Sequence, residues 1–597
     1  MTLHSKESHS QWWRESTIYQ IYPRSFADSN GDGIGDLPGI TAKLPYVASL
    51  GVDIVWISPF FKSPMADFGY DVSDYCDVDP LFGTLDDFDR LLEKAHQLGL
   101  KIMIDQVLSH CADQHPWFVE SRQDRTNPKA DWFVWADPQP DGTPPNNWLS
   151  VFGGSSWQWD ARRRQYYLHN FLTSQPDLNF HNPQVQQALL DAMRFWLARG
   201  VDGFRLDACN FHFHDRALRS NPPATKRDTK TVQDTNPYGM QAHIYDKTQP
   251  ENLAFLQRVR SLLNEYGAIA IGEVGADDSL AVMAEYTEGD DKLHMAYSFN
   301  LLTPSVTAGY IREQVEQYES RVKGGWVSWS VGNHDVARVM SRWGGAEATP
   351  AFAKMMYAMQ MALRGTPCLY QGDELGLTEA DIAFEDLQDP YGKTFWPEFK
   401  GRDGCRTPMP WQAAAPFAGF SEQKPWLPVP AEHLPKAADQ QESDPESVLN
   451  YVRHILRWRK QHAVLLHGDI AFVDAPEPVL VVRRTLGQQV VFAAFNLSAE
   501  SVTLNLPEIA ATQTMDGVHL PAQRDGAAGL QGRMDDRRSA GRRAQHLCAV
   551  LGPGAGPALL AMAADRRSAM ERERTGRGRA HGRVLDRLGR VVAQHVP

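Results

Sequence analysis

The chain is 597 residues long with a mass of 67.0 kDa, which exceeds the size at which a single hydrophobic core stops growing. Its composition, 42% hydrophobic and 22% charged, excludes a fibrous or wholly disordered chain and predicts two or three globular domains. The formal net charge of −13 argues against nucleic acids and anionic membranes as partners.

Short apolar runs alternate with longer helical patterns from about residue 15 to residue 460. Helical patterns over 85–98, 185–199 and 252–265 separate several of these runs. The alternation predicts parallel βαβ units of the α/β class, and eight apolar runs predict a closed (β/α)₈ TIM barrel. A doubly wound open sheet also fits, although no G-x-G-x-x-G motif follows the first run. The predicted strands are 18–22, 54–58, 102–107, 203–207, 269–273, 295–299, 327–331 and 368–371.

Two long segments interrupt this pattern. The stretch between the third and fourth strands is rich in Trp, Pro, Asn and Asp and is too long for a βα loop. We therefore predict an inserted subdomain over 111–180, which divides the barrel domain into 1–110 and 181–460. A Pro- and Trp-rich excursion over 373–441 follows the eighth strand and is predicted to form a lid or loop.

The C-terminal part changes character twice. Short β-type runs at 479–485, 490–496 and 502–506 predict a small antiparallel β domain over 461–514. Residues 515–597 contain 15 arginines but no Lys, Ile or aromatic residue, so they offer little with which to complete a β-sandwich. A basic binding tail, a disordered tail and a shifted reading frame all remain open. We favour the shifted frame and assign this segment no function.

Cysteine usage and targeting signals bear on the compartment. The six cysteines are scattered without a C-x-x-C pair, which predicts reduced thiols. The N-terminal segment shows no apolar core of a secretion signal, and no run approaches 18 apolar residues. We expect a cytoplasmic protein that acts as a monomer or homodimer.

Polar residues gather where the predicted strands end, which is where the active sites of such barrels lie. Carboxyl groups placed so close repel one another, and an enzyme retains them when their pKa values must differ. These strand-end residues are Asp105, His110, Arg205, Asp207, Glu273, His334 and Asp335.

Two of these carboxyl groups have different surroundings. Strand alternation puts Arg205 and Asp207 on the same side, so the guanidinium favours an ionised Asp207, as a nucleophile requires. Glu273 follows the apolar run AIAIG, whose desolvation favours a protonated acid. Such a pair is typical of a retaining glycosidase.

Four segments of the sequence resemble the signature regions of a known family. DQVLSH (105–110), GFRLDA (203–208), GEV (272–274) and VGNHD (331–335) resemble, in order and spacing, the signature regions of glycoside hydrolase family 13, the α-amylase family. Within it the chain most resembles bacterial α-glucosidases and α-glucosyl-transferring enzymes of the oligo-1,6-glucosidase group. Supporting stretches are IYQIYPRSF (18–26), DFGYDVSDY (67–75) and GRDGCRTPMPW (401–411).

The resemblance implies a role for each matching residue. Asp207 would be the nucleophile, Glu273 the acid/base, and Asp335 would stabilise the transition state. Asp67 and Arg402 would bind the 4-hydroxyl and close the pocket, which implies exo-action on a single glucose. The residues implied to bind sugar are Asp67, Tyr70, His110, Arg205, His334 and Arg402.

The residue after the implied nucleophile is Ala208. A small side chain there is typical of relatives that act on α-1,4 bonds, so we expect release of glucose from maltose-like substrates or aryl α-glucosides, with transfer to alcohol acceptors. An oligo-1,6-glucosidase and a sucrose- or trehalose-acting transferase or isomerase remain the enzymatic alternatives. A sugar-binding or transporter-associated relative is the alternative without turnover.

The segment DSNGDGIGD (28–36) alternates oxygen-bearing side chains. Hard oxygen ligands favour Ca²⁺ or Mg²⁺, and the resemblance implies a structural Ca²⁺ site in this loop. A glycine-rich loop of Asx turns is the alternative. The implied ligands are Asp28, Asn30, Asp32, Asp36 and the carbonyl of Ile34. No organic cofactor is expected.

Overall fold

Eight parallel strands form the central sheet of the computed structural model, which describes residues 11–226, 232–345, 348–498, 500, 502–505, 546–551 and 590–592. The predicted positions are confirmed to within two residues at each end, because each strand is a short and largely buried run. The strands are β1 (Ile18–Ile21), β2 (Ile54–Ile57), β3 (Lys101–Val107), β4 (Gly203–Asp207), β5 (Ile269–Val274), β6 (Met295–Ser298), β7 (Ser328–Ser330) and β8 (Thr366–Tyr370).

The sheet closes into a (β/α)₈ barrel. Its strands are neighbours in the order β6-β5-β4-β3-β2-β1-β8-β7, and a parallel bridge between Ala296 and Val327 joins the two ends. The predicted fold class is therefore confirmed, and the open-sheet alternative is excluded. Apolar side chains such as Ile54, Trp56 and Ile271 fill the interior away from the polar strand ends.

Helix boundaries follow local signals. Thr84 and Asp87 form a capping box at the start of Leu85–Gln97, and Gly200, with φ of 103°, ends Pro183–Arg199 in the left-handed region that favours glycine. The α-helices are Leu37–Leu50, Leu85–Gln97, Pro116–Ser121, Pro183–Arg199, Asn252–Tyr266, Ser279–Thr287, Ala308–Arg321, Pro350–Ala362, Pro390–Phe395, Ala438–Glu442, Val448–Lys460 and Ala463–His467. None of the described helices is long and apolar enough to span a membrane.

The segment between β3 and β4 carries its own small antiparallel sheet of three strands, Trp135–Ala136, Trp157–Asp160 and Gln165–Leu168. Buried Trp148 and Trp157 stack at 5.8 Å in its core. Other residues of the segment pack directly against the barrel loops, since Val151 shares an apolar cluster with Ala208 and Phe211.

The chain divides into two compact units, and the predicted domain bounds stay a prediction. The inserted segment belongs to the larger unit, which comprises Met1–Val306, Gln314–Ala346 and Gly365–Leu456, because its side chains pack on the barrel loops. The smaller unit contains Thr307–Glu313, Glu347–Arg364 and the residues from Arg457 onward.

The C-terminal sheet corrects one expectation. Asp469–Val473, Val479–Leu486 and Gln489–Asn496 pair antiparallel, as predicted, but His546–Leu551 adds to the last of these in parallel. A second pair joins Thr503–Asn505 to Arg590–Val592. The added strand comes from the apolar run HLCAVL inside the Arg-rich segment, and the domain boundary at residue 514 stays a prediction. The remainder of 515–597, on which the reading-frame hypothesis depends, lies outside the described residues.

Candidate active site

A cavity of about 390 Å³ lies at the carboxyl ends of the barrel strands. Most of the predicted site residues line it, whereas Arg205 and His334 lie fully buried directly beneath the lining. The lining includes Asp67, Tyr70, His110, Asp207, Ala208, Glu273, Asp335 and Arg402.

Arg205 binds three carboxyl groups that three different strands supply. Its Nη1 lies 2.6 Å from Asp207 Oδ1 and 2.9 Å from Asp105 Oδ1, and its Nη2 lies 2.6 Å from Glu273 Oε1. Strand register causes this convergence, because β3 and β4 pair with Asp105 beside Arg205. Tyr297 on β6 is opposite Glu273 and accepts a further hydrogen bond from Arg205 Nη2 at 2.8 Å.

The pKa values of these acids are raised toward neutral pH. Burial raises the pKa of Asp207 and that of Glu273 to about 7, while the Arg205 cation opposes the rise in both. Burial likewise raises the pKa of Asp105 to about 6. One guanidinium serves three carboxyl groups, so one acid can hold a proton near neutral pH while another is ionised.

Glu273 is held at both of its oxygens. Its Oε2 accepts the backbone N–H of Ala208 at 3.0 Å, and its Oε1 accepts the Tyr297 hydroxyl at 3.0 Å. Ala208 adopts a φ of 41°, in the left-handed region, and this turn directs its N–H at the acid.

Asp335 lies beside two arginines and a histidine instead. Arg406 Nη2 is 3.0 Å and Arg402 Nη1 is 3.3 Å from its Oδ1, and His334 Nε2 is 3.3 Å from its Oδ2. Burial alone would raise the pKa of Asp335, but His334, Arg402 and Arg406 hold it well below its usual range. Asp335 is therefore ionised at neutral pH.

Two histidines lie at the cavity, His110 in its lining and His334 beneath it. Burial lowers the pKa of His110 to about 4 and that of His334 to about 3, so both rings are neutral at neutral pH. The Tyr70 ring stacks on His334 at 5.4 Å, and its hydroxyl bonds to His334 Nε2 at 2.6 Å and to Asp105 Oδ2 at 3.0 Å.

Buried ion pairs block one end of the cavity. Arg402 Nη2 lies 2.8 Å from Asp67 Oδ1, and Gln175 donates to Asp67 Oδ2 at 3.1 Å. Arg402 also binds both oxygens of the fully buried Asp389. Much of the remaining lining is apolar, and the Phe152 ring lies 5.2 Å from the Arg402 guanidinium. These apolar lining residues are Phe152, Phe171, Phe211, Val232, Phe299, Leu302 and Tyr391.

Sequence reasoning missed four of these residues. Arg406 lies within the stretch GRDGCRTPMPW, which gave a signal for it. Tyr297 could have been found from its position on β6 beside Glu273. Asp389 and Gln175 lie in long loops with no pattern to mark them, so only the folded chain brings them to the site.

Comparisons with known proteins place this geometry in a family. The model of the alpha-amylase catalytic domain matches residues 20–468. The chain belongs to the α-amylase family, glycoside hydrolase family 13. Four strand-end segments therefore identified the family correctly, and the chain is a glycoside hydrolase.

Close relatives refine the position within the family. A probable alpha-glucosidase of Rhizobium meliloti (strain 1021) is 58% identical over 507 residues, which cover 84% of this chain and 92% of the relative. An oligo-1,6-glucosidase of Heyndrickxia coagulans is 37% identical, covering 84% of this chain and 94% of the relative. A crystal structure of an alpha-glucosyl transfer enzyme superposes with a TM-score of 0.84 at 62% identity, covering 86% of this chain and 97% of that one.

The segment 28–36 folds on itself by hydrogen bonds. Asp28 accepts three backbone N–H groups of its own loop and the Ser421 hydroxyl, and Asp36 caps the helix Leu37–Leu50. Oxygen donors suit Ca²⁺, but among the residues that the structure describes no three His, Cys, Asp or Glu side chains group as a metal site. The present arrangement is that of the Asx-turn alternative, and calcium stays a prediction.

Proposed function

We propose that this family member is a retaining, exo-acting α-glucosidase that releases terminal α-1,4-linked glucose from maltose-like substrates or aryl α-glucosides. The observation that carries the proposal is the joint contact of Arg205 with Asp207 and Glu273. It holds two carboxyl groups with pKa values near neutrality at the floor of one cavity. The blocked end beside Asp67 and Arg402 supports cleavage of one glucose at a time.

The reaction proceeds in two balanced steps. Asp207 attacks the anomeric carbon and forms a glucosyl ester, while Glu273 gives its proton to the leaving glycosidic oxygen. Glu273, now ionised, then takes a proton from water as the water oxygen attacks the same carbon and releases Asp207. Two displacements restore the α-configuration of the product.

Asp335 serves the transition state in this scheme. Because its carboxylate is ionised, it favours the positive charge that develops on the sugar ring. The neutral His110 lines the cavity and can hydrogen-bond a sugar hydroxyl without adding a competing positive charge. His334 lies beneath the lining, with its ring nitrogens bonded to Gln20 and Tyr70.

The apolar part of the cavity lining supports a second activity, the transfer of glucose to alcohol acceptors. Aromatic and aliphatic walls favour an acceptor with an apolar body over water. The crystal structure of the alpha-glucosyl transfer enzyme supports transfer, whereas the trehalulose synthase structures, at 32% identity, support the alternative of a sucrose isomerase. The oligo-1,6-glucosidase relatives support α-1,6 cleavage as the other alternative.

The test measures glucose release from maltose, isomaltose and sucrose by the wild type, Asp207→Asn and a control, with the product anomer followed by NMR. The control is Asp278→Asn, since Asp278 caps the helix Ser279–Thr287 outside the cavity lining. α-Glucose released first from maltose, little release from isomaltose and a loss of several orders of magnitude in Asp207→Asn would support the proposal. β-Glucose appearing first, an active Asp207→Asn or a preference for isomaltose or sucrose would contradict it.

A further inference from the structure

Asp389 holds Arg402 from the side away from the cavity. Asp389 Oδ1 accepts from Arg402 Nη2 at 2.7 Å, and Asp389 Oδ2 accepts from Arg402 Nε at 3.1 Å and from the Arg402 backbone N–H at 2.7 Å. Asp389 is fully buried and is absent from the cavity lining, so it cannot touch a sugar held there.

These hydrogen bonds to Asp389 determine the orientation of the Arg402 guanidinium. With Nε and one edge of Nη2 bound by Asp389, the donors that remain reach Asp67 at 2.8 Å and Asp335 at 3.3 Å. Arg402 thus meets three carboxylates, two in the cavity and one behind it. Without the charge behind it, Arg402 would bind the two cavity acids more strongly and occupy oxygens that would otherwise face sugar hydroxyls.

The same carboxylate also orders part of the aromatic wall of the cavity. Asp389 is the N-cap of the helix Pro390–Phe395, and its Oδ1 accepts the backbone N–H of Tyr391 at 3.2 Å. Tyr391 lines the cavity, stacks on Phe152 at 5.0 Å and accepts a hydrogen bond from Asn236 at 3.2 Å. One buried side chain therefore holds both Arg402 and the aromatic pair Phe152–Tyr391, whose Phe152 ring lies 5.2 Å from the Arg402 guanidinium.

We propose that Asp389 is a positioning residue with two separable roles, in which its charge orients Arg402 for the terminal glucose and its helix cap places Tyr391 in the aromatic wall of the cavity. The assignment rests on the proposed function, because it takes the Asp67–Arg402 end as the place where the terminal glucose ends. It adds a residue that neither contacts substrate nor lies in a signature segment.

Two variants separate the roles. Asp389→Asn keeps a good N-cap and the side-chain shape but removes the charge, whereas Asp389→Ala removes both. Asp278→Asn is the matched control, because Asp278 is also an N-cap residue and lies 2.5 Å from Arg321, outside the cavity lining. The readouts are the Kd of D-glucose by calorimetry, KM and kcat for an aryl α-glucoside, and the ratio of transfer to hydrolysis with an aromatic alcohol.

For Asp389→Asn we expect the Kd of glucose and KM to rise about tenfold to a hundredfold, the loss typical of a charge-assisted hydrogen bond. We expect kcat and the transfer ratio to stay close to the wild type, since the bound sugar and its transition state lose the same contact. Asp389→Ala should add a change in the transfer ratio. An unchanged Kd and KM in Asp389→Asn, or an equal loss in Asp278→Asn, would overturn the proposal.

A double-mutant cycle tests whether Asp389 acts through Arg402. In an Arg402→Met background, Asp389→Asn should change the Kd of glucose no further, whereas an additive loss would mean that Asp389 acts by another route. The outcomes also separate the two proposals. A wild type that binds no glucose and cleaves no α-glucoside overturns the proposed function, while normal wild-type binding with an unaffected Asp389→Asn overturns the positioning role alone.

Discussion

The Nη2 atom of Arg205 lies 2.6 Å from Glu273 Oε1, so a cation touches the group proposed to deliver a proton. Contact with a cation favours the ionised carboxylate, whereas burial of Glu273 favours the protonated acid, and burial prevails. The resulting pKa near 7 reflects these two opposing effects. Removal of one contact that stabilises the ionised form should therefore raise the pKa of Glu273.

Tyr297→Phe tests that balance through the pH profile. The Tyr297 hydroxyl donates to Glu273 Oε1 and therefore stabilises the ionised form, so its removal should raise the pKa of Glu273 above about 7. Since activity requires protonated Glu273, the alkaline limb of kcat/KM should move to higher pH by about one unit. Tyr167→Phe, whose hydroxyl bonds to the carbonyl of Thr173 in the inserted segment, should leave the limb in place. A limb that moves to lower pH would contradict the role of this hydrogen bond.

Ala208→Val should change both stability and linkage preference. A β-branched residue is less compatible than alanine with a φ of 41°, so Tm should fall. The added methyl groups also enter the cavity beside Glu273, and the ratio of kcat/KM for maltose to that for isomaltose should decrease. Ala208→Gly, which tolerates this backbone, should retain stability and the maltose preference. An unchanged ratio in Ala208→Val would show that this position does not select the linkage.

The burial of Glu374 should make the free energy of unfolding depend on pH, independently of catalysis. This fully buried carboxyl group accepts from the hydroxyls of Tyr19 and Tyr46, and burial raises its pKa from 4.5 to about 7. The folded state therefore holds a proton that the unfolded state loses, and the contribution is fully present below about pH 4.5 and is lost as the pH rises to about 7. The loss amounts to about 3 kcal/mol.

The variant Glu374→Gln isolates this effect, because its side chain does not titrate. Whatever constant cost the amide adds, the Tm of Glu374→Gln minus that of the wild type should become more positive between about pH 5 and about pH 7.5. Scanning calorimetry or fluorimetry measures the difference. A difference that stays constant over this range would mean that Glu374 has the same pKa in the folded and unfolded states.

Calcium binding by the 28–36 loop is tested through stability rather than activity. A site saturated a hundredfold over its Kd would stabilise the fold by about 2.7 kcal/mol, so EDTA should lower Tm and Ca²⁺ should restore it. Asp32→Asn should remove this response, because Asp32 is an exposed implied ligand. A Tm that is indifferent to EDTA and Ca²⁺ in the wild type would leave the loop as a set of Asx turns.

The sequence predicted those features that depend on short patterns. Buried parallel strands are apolar runs that end in polar residues, so β4 and β5 and the acids Asp207 and Glu273 could be located before the fold was known. Pairing register then brings Asp105 beside Arg205, which follows from the fold and not from any local motif.

Long-range contacts could not be predicted in this way. Asp389 reaches Arg402 across a loop whose turns depend on packing, and no periodicity marks it. The parallel strand His546–Leu551 was missed because average composition hides one short apolar run. The ion pair between Arg205 and Glu273 was missed because alternation along one strand says nothing of its neighbour's side chains.

The several side-chain contacts of Arg205 have a consequence for the redesign of this site. In the variant Asp207→Gly, the Arg205 guanidinium would still be bound by three side chains, those of Asp105, Glu273 and Tyr297. The shortened residue would leave room for a sugar activated with the opposite anomeric configuration, while Glu273 kept its place to receive a proton from an incoming alcohol. On the proposed function, the single substitution Asp207→Gly would therefore give a protein that builds glucosides from such a donor and does not cleave them.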